Sequence, residues 1–186
     1  MYFQELNDEF LNDPNRWFNE AILLKNIADD IYLKFGKEIH DGERGRILVH
    51  SVMSDKPEIV GPYGLIGPCK MMIGLALENI VKGLLVKREG KFLREWIGIN
   101  GHDLKRLITD LLDFSVSDIE KDLLKDLSSY VHWAGRYPAP KSSNAFKDLL
   151  PKGHLWAFSN FDLEDMARIE NLYIRLEANM QINAFS

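Results

Sequence analysis

The strongest pattern in the chain is an almost wholly apolar run from Met71 to Val86, interrupted by only two charges, Glu78 and Lys82. A helix that is apolar on almost every side is the central member of a bundle, so its two charged groups need partners or solvent. They stand at i and i+4 with the acid first, the favourable order for pairing along one face. The pair is therefore either a satisfied structural contact or part of a polar site. Pro68 opens this helix, and Lys87, Arg88 and Gly90 supply signals for its C-terminal end.

Helical periodicity recurs on both sides of that run. Trp17, Ala21, Leu24, Ala28, Ile31 and Phe35 alternate steps of four and three, which predicts a helix from about Asp13-Pro14 to Gly36. From Gly36 to Gly67, glycines, Pro57, Pro62 and mixed charges read as a long connection, with one short extended piece at Arg46-Ile47-Leu48-Val49. A third helix is expected from about Asp103, with Leu104, Leu107, Ile108, Leu111 and Leu112 on one face and an end near Phe114. Ser117-Asp118-Ile119-Glu120 has the spacing of a capping box. It announces a fourth helix carrying Ile119, Leu123, Leu127, Tyr130 and Val131, which should run out before Gly135. After a proline-bearing, aromatic-rich stretch, Arg136 to Phe161, Asp162 caps a last helix with the stripe Met166, Ile169, Tyr173, Leu176 and Met180. The expected fold is all-α, an antiparallel up-and-down four-helix bundle with an additional helix and long loops. It forms a single domain over residues 1–186.

Composition fits that class. A chain of 186 residues with 46% hydrophobic and 27% charged side chains can bury one substantial core. The net charge of -5 and a pI near 5.6 argue against broad electrostatic coating of nucleic acid, while leaving room for a local basic pocket. One cysteine, Cys69, excludes an intramolecular disulfide and a multi-cysteine metal cluster. An ordinary buried thiol is expected there. No stretch reaches the roughly 18 to 20 apolar residues of a membrane span, and the N-terminus lacks a secretory pattern. A cytoplasmic location without membrane contact is the expectation.

Three segments then resemble a known family when taken in order: Ala76-Leu77-Glu78-Asn79-Ile80-Val81-Lys82-Gly83-Leu84-Leu85, Gly101-His102-Asp103-Leu104-Lys105-Arg106-Leu107, and Arg136-Tyr137-Pro138. Their order and spacing over roughly residues 68 to 140 look like the HEPN superfamily of helical nucleotide-binding and RNase-related domains. That resemblance implies homodimerisation, a polar cleft for a nucleotide or RNA, a setting in bacterial defence or toxin-antitoxin systems, and a nucleotidyltransferase-type partner protein. The cleft residues it implies are Glu78, Lys82, Asp103 and Tyr137 for ligand binding. His102 would be the acid or base and Arg136 the phosphate-stabilising group of a metal-independent ribonuclease. The RNase branch of the superfamily is similar in placing an Arg and, after a short spacing, a His near one helix end. The final helix here has no such pair. Arg44 and His50 meet the spacing within the long connection, but on a helix they would occupy poorly matched faces.

Structural alternatives stand beside each of these roles. Asp103 or Asn100 can cap a helix, Arg136 can bond helix-end carbonyls or pair with Glu78, and Tyr137 can pack on the bundle. Histidine ordinarily titrates near physiological pH, which suits His102 to acid–base work or phosphate binding. Lys141, Lys147, Lys152 and His154 alternate with Phe146, Trp156, Phe158 and Phe161, a mixture suited either to base stacking or to a loop folded over the core. His40, His50, His102, His132 and His154 show no metal-ligand spacing, and neither a phosphate-binding glycine loop nor a nucleophile elbow is present. No cofactor or metal is expected. A non-catalytic dimerisation or adaptor domain is the competing reading.

Overall fold

In the computed structural model, residues 8–40, 66–96, 101–134 and 163–181 are described. They are 87% helical and contain no strand, which places the chain in the all-α class. None of the described helices is long and apolar enough to cross a membrane. The expected extended piece at 46–49 lies outside the described residues.

Helix α1 spans Pro14–His40. Asp13 Oδ1 accepts from the Asn15 amide at 3.0 Å, satisfying one of the first turn's orphan donors. The helix does not stop at Gly36. An internal glycine costs about 1 kcal/mol relative to alanine, too little to end a helix whose buried face is already set by Ala21 and Ala28.

Helix α2, Ile66–Glu89, begins two residues before Pro68. Proline is tolerated there because first-turn amides have no intrahelical partner to lose. Ile73, Leu77, Ile80, Val81 and Leu85 are fully buried around its circumference, as expected of a central helix. It ends at Gly90, whose φ of 70° is left-handed and whose amide donates to the Val86 carbonyl at 2.8 Å. The chain then turns back on α1: Phe92 stacks on Trp17 at 5.3 Å between ring centroids and meets the buried Trp96 edge-on at 5.6 Å.

Helix α3 is one α-helical turn, Leu104–Arg106, continuing as a π-helical turn, Leu107–Leu111. It therefore ends before Phe114. Leu104, Leu107 and Ile108 fill the core. Helix α4 spans Asp118–Ser129 and continues as a second π-helical turn, Tyr130–Ala134. Both arms of its capping box form, between Ser117 and Glu120. Leu123, Leu127, Tyr130 and Val131 are buried, but Ile119 is 54% exposed. Its turn forms the rim of an open cleft beside Arg168 and Asn171, and Leu124 takes up burial that the simple stripe omits. Helix α5, Leu163–Gln181, buries Met166, Ile169, Leu172, Tyr173 and Leu176.

Helices α1, α3, α4 and α5 each contact α2, most extensively α1. Two glycines set how closely they approach. A Cβ at Gly83 would overlap the Phe18 ring, and one at Gly74 would overlap a Val131 methyl while meeting the Leu127 carbonyl at 3.3 Å. Val131 is β-branched and stiff at χ1, so it cannot swing aside freely. Gly74→Ala is therefore expected to destabilise by about 1–3 kcal/mol through overpacking, despite alanine's better helix propensity. Adding Val131→Ala should cost less in that background than in the wild type. Urea titrations of the four proteins in a double-mutant cycle measure this coupling.

Candidate functional site

Glu78 and Lys82 lie in the apolar run of α2, 4% and 3% exposed. Lys82 Nζ reaches Glu78 Oε1 at 2.5 Å. The other carboxylate oxygen, Oε2, lies 2.8 Å from Nδ1 of His102. The Lys82 ammonium also sits 5.6 Å from the Trp17 ring centroid, on the α1 side. One buried carboxylate thus joins an ammonium on its own helix to an imidazole arriving from the turn before α3.

That turn is held from two directions. Asp103 is the N-cap of α3, and its Oδ1 accepts from the Arg106 amide at 2.9 Å. The next amide, Leu104, donates to Ser128 Oγ of α4 at 3.0 Å, and Ser128 Oγ donates to the Leu124 carbonyl at 2.6 Å. Cap and cross-helix bond fix the backbone beside His102 and thereby aim its ring at Glu78.

Burial alone would raise the Glu78 carboxyl, but the hydrogen bond from His102 and the charge of Lys82 outweigh it and hold the group below its ordinary value. Glu78 is therefore ionised at neutral pH and accepts hydrogen bonds without donating any. Nδ1 of His102 must then carry the proton. The opposite nitrogen, Nε2, is left as an acceptor in the neutral ring or as a donor in the imidazolium. The His102 side chain is 35% exposed, so part of the ring reaches solvent. His132, from the π-helical turn of α4, brings a second imidazole to 6.1 Å between ring centroids, with the planes at 59°.

Of the residues singled out in the sequence, Glu78, Lys82 and His102 come together. Asp103 adjoins them, but its carboxylate is engaged as the cap. Arg136, Tyr137, Arg44, His50 and the aromatic segment 141–161 lie outside the described residues. Cys69 is buried, with its thiol directed to the Ala28 carbonyl at 3.6 Å, and burial pushes it up to about 11, unsuited to nucleophilic work. Among the described residues, no three His, Cys, Asp or Glu side chains converge to hold a metal ion.

From the sequence, neither His132 as a neighbour of His102 nor the two further buried lysines, Lys70 and Lys25, is singled out. Lys70 of α2 pairs with Asp126 of α4 at 2.7 Å and lies 4.8 Å from the Tyr130 ring. Lys25 of α1 bridges Asp29 at 2.7 Å and Glu170 of α5 at 2.5 Å, with the Tyr173 ring 5.5 Å away. Lys25 falls between Ala21 and Ala28 on the buried face of α1, a position at which a charged residue is itself a signal. No family model, curated protein or solved structure matches the chain.

The electrostatics of Glu78 can be tested through its partner. Lys82→Met removes one group that opposes the effect of burial, so the Glu78 carboxyl should titrate higher in the variant than in the wild type. A carboxyl held below its unfolded value contributes stability above that value, and the contribution is lost as pH falls through the folded value. In Lys82→Met this loss should begin at higher pH. Carbon-13 titration of the Glu78 carboxyl and acid unfolding of both proteins check the shift.

Proposed function

We propose that the chain is a HEPN-like helical domain that recognises a nucleotide or RNA at the Glu78, Lys82 and His102 site, in a defence or toxin-antitoxin setting. The supporting observation is the pinning of His102 through Nδ1 by a buried, ionised carboxylate, which leaves Nε2 outside that contact on a partly exposed side chain. An imidazole held this way is pre-oriented to donate to a phosphate oxygen when protonated, or to accept from a ribose hydroxyl when neutral. The order of the three sequence motifs supports the same assignment. Tyr137 and Arg136 complete the ligand-binding set in this reading, with Arg136 supplying a planar fork for phosphate. If the domain cleaves RNA, His102 is its acid or base, Arg136 stabilises the phosphate charge, and no metal ion takes part.

A specific observation favours a second reading, a non-catalytic dimerisation or adaptor domain. Glu78 and Lys82 pair with one another along α2, and Ile22, Leu23, Ile27 and Leu33 are exposed on α1, Leu33 to 82%. In that reading this apolar surface meets a second copy of the chain, and the buried pair serves folding alone.

Binding and cleavage of a mixed-sequence RNA in excess EDTA, by wild type, His102→Ala and Arg136→Ala, separate the two. The ligand-site reading expects each variant to stay folded by circular dichroism and to bind RNA about tenfold or more weakly, the scale of one charge-assisted hydrogen bond. Wild-type affinity in both variants, or lost stability without lost binding, contradicts it.

A further inference from the structure

His132 is exposed and lies on a different helix from the Glu78–Lys82 pair, yet its ring stands 6.1 Å from that of His102. We propose that His102 and His132 form a two-imidazole acid–base pair acting on a ribonucleoside 3′,5′-phosphodiester, with His132 as a second catalytic residue. This rests on the nucleotide reading above and assigns chemistry to the same site.

Three observations carry it. First, the two rings stand 6.1 Å apart between centroids without a hydrogen bond to one another, close enough for both to reach oxygens of one bound group at about 2.6–3.2 Å. Second, their surroundings differ. His102 has a buried carboxylate behind Nδ1, which stabilises an imidazolium as it forms at Nε2. His132 has no acidic partner among the described residues and faces solvent. Third, His132 belongs to the π-helical turn Tyr130–Ala134. Such a turn changes the direction in which side chains leave the helix, and it occurs often at functional sites.

The carboxylate behind Nδ1 of His102 sets the roles, because it stabilises the imidazolium that forms when Nε2 accepts a proton. Nε2 of neutral His102 takes the proton of the ribose 2′-hydroxyl, and the 2′ oxygen bonds to phosphorus. The bond from phosphorus to the 5′ oxygen breaks as the His132 imidazolium delivers its proton to that oxygen. The products are a 2′,3′-cyclic phosphate and a free 5′-hydroxyl. One proton is taken up and one released, so neither water nor any oxidant enters. Glu78 is a positioning residue here and touches no reacting atom.

The test uses two substrates in excess EDTA: the dinucleotide uridylyl-(3′→5′)-adenosine, and uridine 3′-(4-nitrophenyl phosphate), whose leaving group departs without a proton. Wild type should convert both to uridine 2′,3′-cyclic phosphate. His132→Asn should lose about 100-fold or more on the dinucleotide, the scale of one acid–base group, and keep most of its rate on the nitrophenyl ester. His102→Asn should lose both. Because His132 is exposed, its variant should unfold at the wild-type temperature. Wild-type cleavage of the dinucleotide by His132→Asn overturns the proposal, as does an equal loss on both substrates. Absence of cleavage by wild type overturns it too. In that case, titration with the 2′-deoxy dinucleotide distinguishes the failures: retained binding that His102→Ala weakens leaves the nucleotide reading standing, and no binding removes both.

Discussion

An ammonium and a carboxylate held out of water in the middle of α2 are the constraint around which the rest of the structure is arranged. Removing each charge from solvent costs several kcal/mol in effect, and their attraction repays this only when the remaining hydrogen-bonding capacity is also met. Lys82 takes one oxygen of Glu78 and leaves the second. An acceptor with no partner there would be costly, and His102 supplies the donor from outside the helix. Satisfying a buried pair on α2 therefore fixes the turn before α3, and the capping of α3 by Asp103 and its tie to Ser128 bring α4 into the same arrangement.

Lys25 and Lys70 repeat the solution elsewhere. Each buried lysine has a carboxylate at hydrogen-bonding distance and an aromatic ring within 5.6 Å: Tyr173 for Lys25, Tyr130 for Lys70 and Trp17 for Lys82. Lys25 joins α1 to α5 and Lys70 joins α2 to α4, so these cations link helices as well as meeting their own needs. The difference at Glu78 lies in its second partner. Asp29 and Asp126 are partly exposed, whereas Glu78 is sealed, and it is Glu78 that meets an imidazole open to solvent.

Hydrophobic spacing made the helices legible, because the property that drives burial is written directly in the residue types. The apolar run around Glu78 and Lys82 marked both the central helix and its polar interruption, and the capping box marked the start of α4. Helix ends were less legible. Gly36 suggests a stop, but glycine's local cost is overridden by the packing of α1 against α2. The π-helical turns of α3 and α4 have no sequence signature of this kind, since an inserted residue changes the facing of everything after it without changing the pattern before it. His132 reaches His102 through such a turn, and it stayed invisible for that reason. Ile119 erred the other way: it continues the stripe of α4 into a turn that the other helices do not cover.

Everything proposed for the site depends on the state of one ring. If Glu78 is ionised and holds His102 through Nδ1, the outer nitrogen is the reactive edge. The direct measurement is the tautomer of His102, read from long-range proton–nitrogen correlations in protein labelled with nitrogen-15, above the pH at which the ring loses its charge. The account predicts a protonated Nδ1 and a bare Nε2, reverting to a mixture of tautomers in Glu78→Ala. A His102 ring protonated at Nε2 in the folded wild type would contradict it, because an ionised carboxylate cannot donate to the bare Nδ1 it faces.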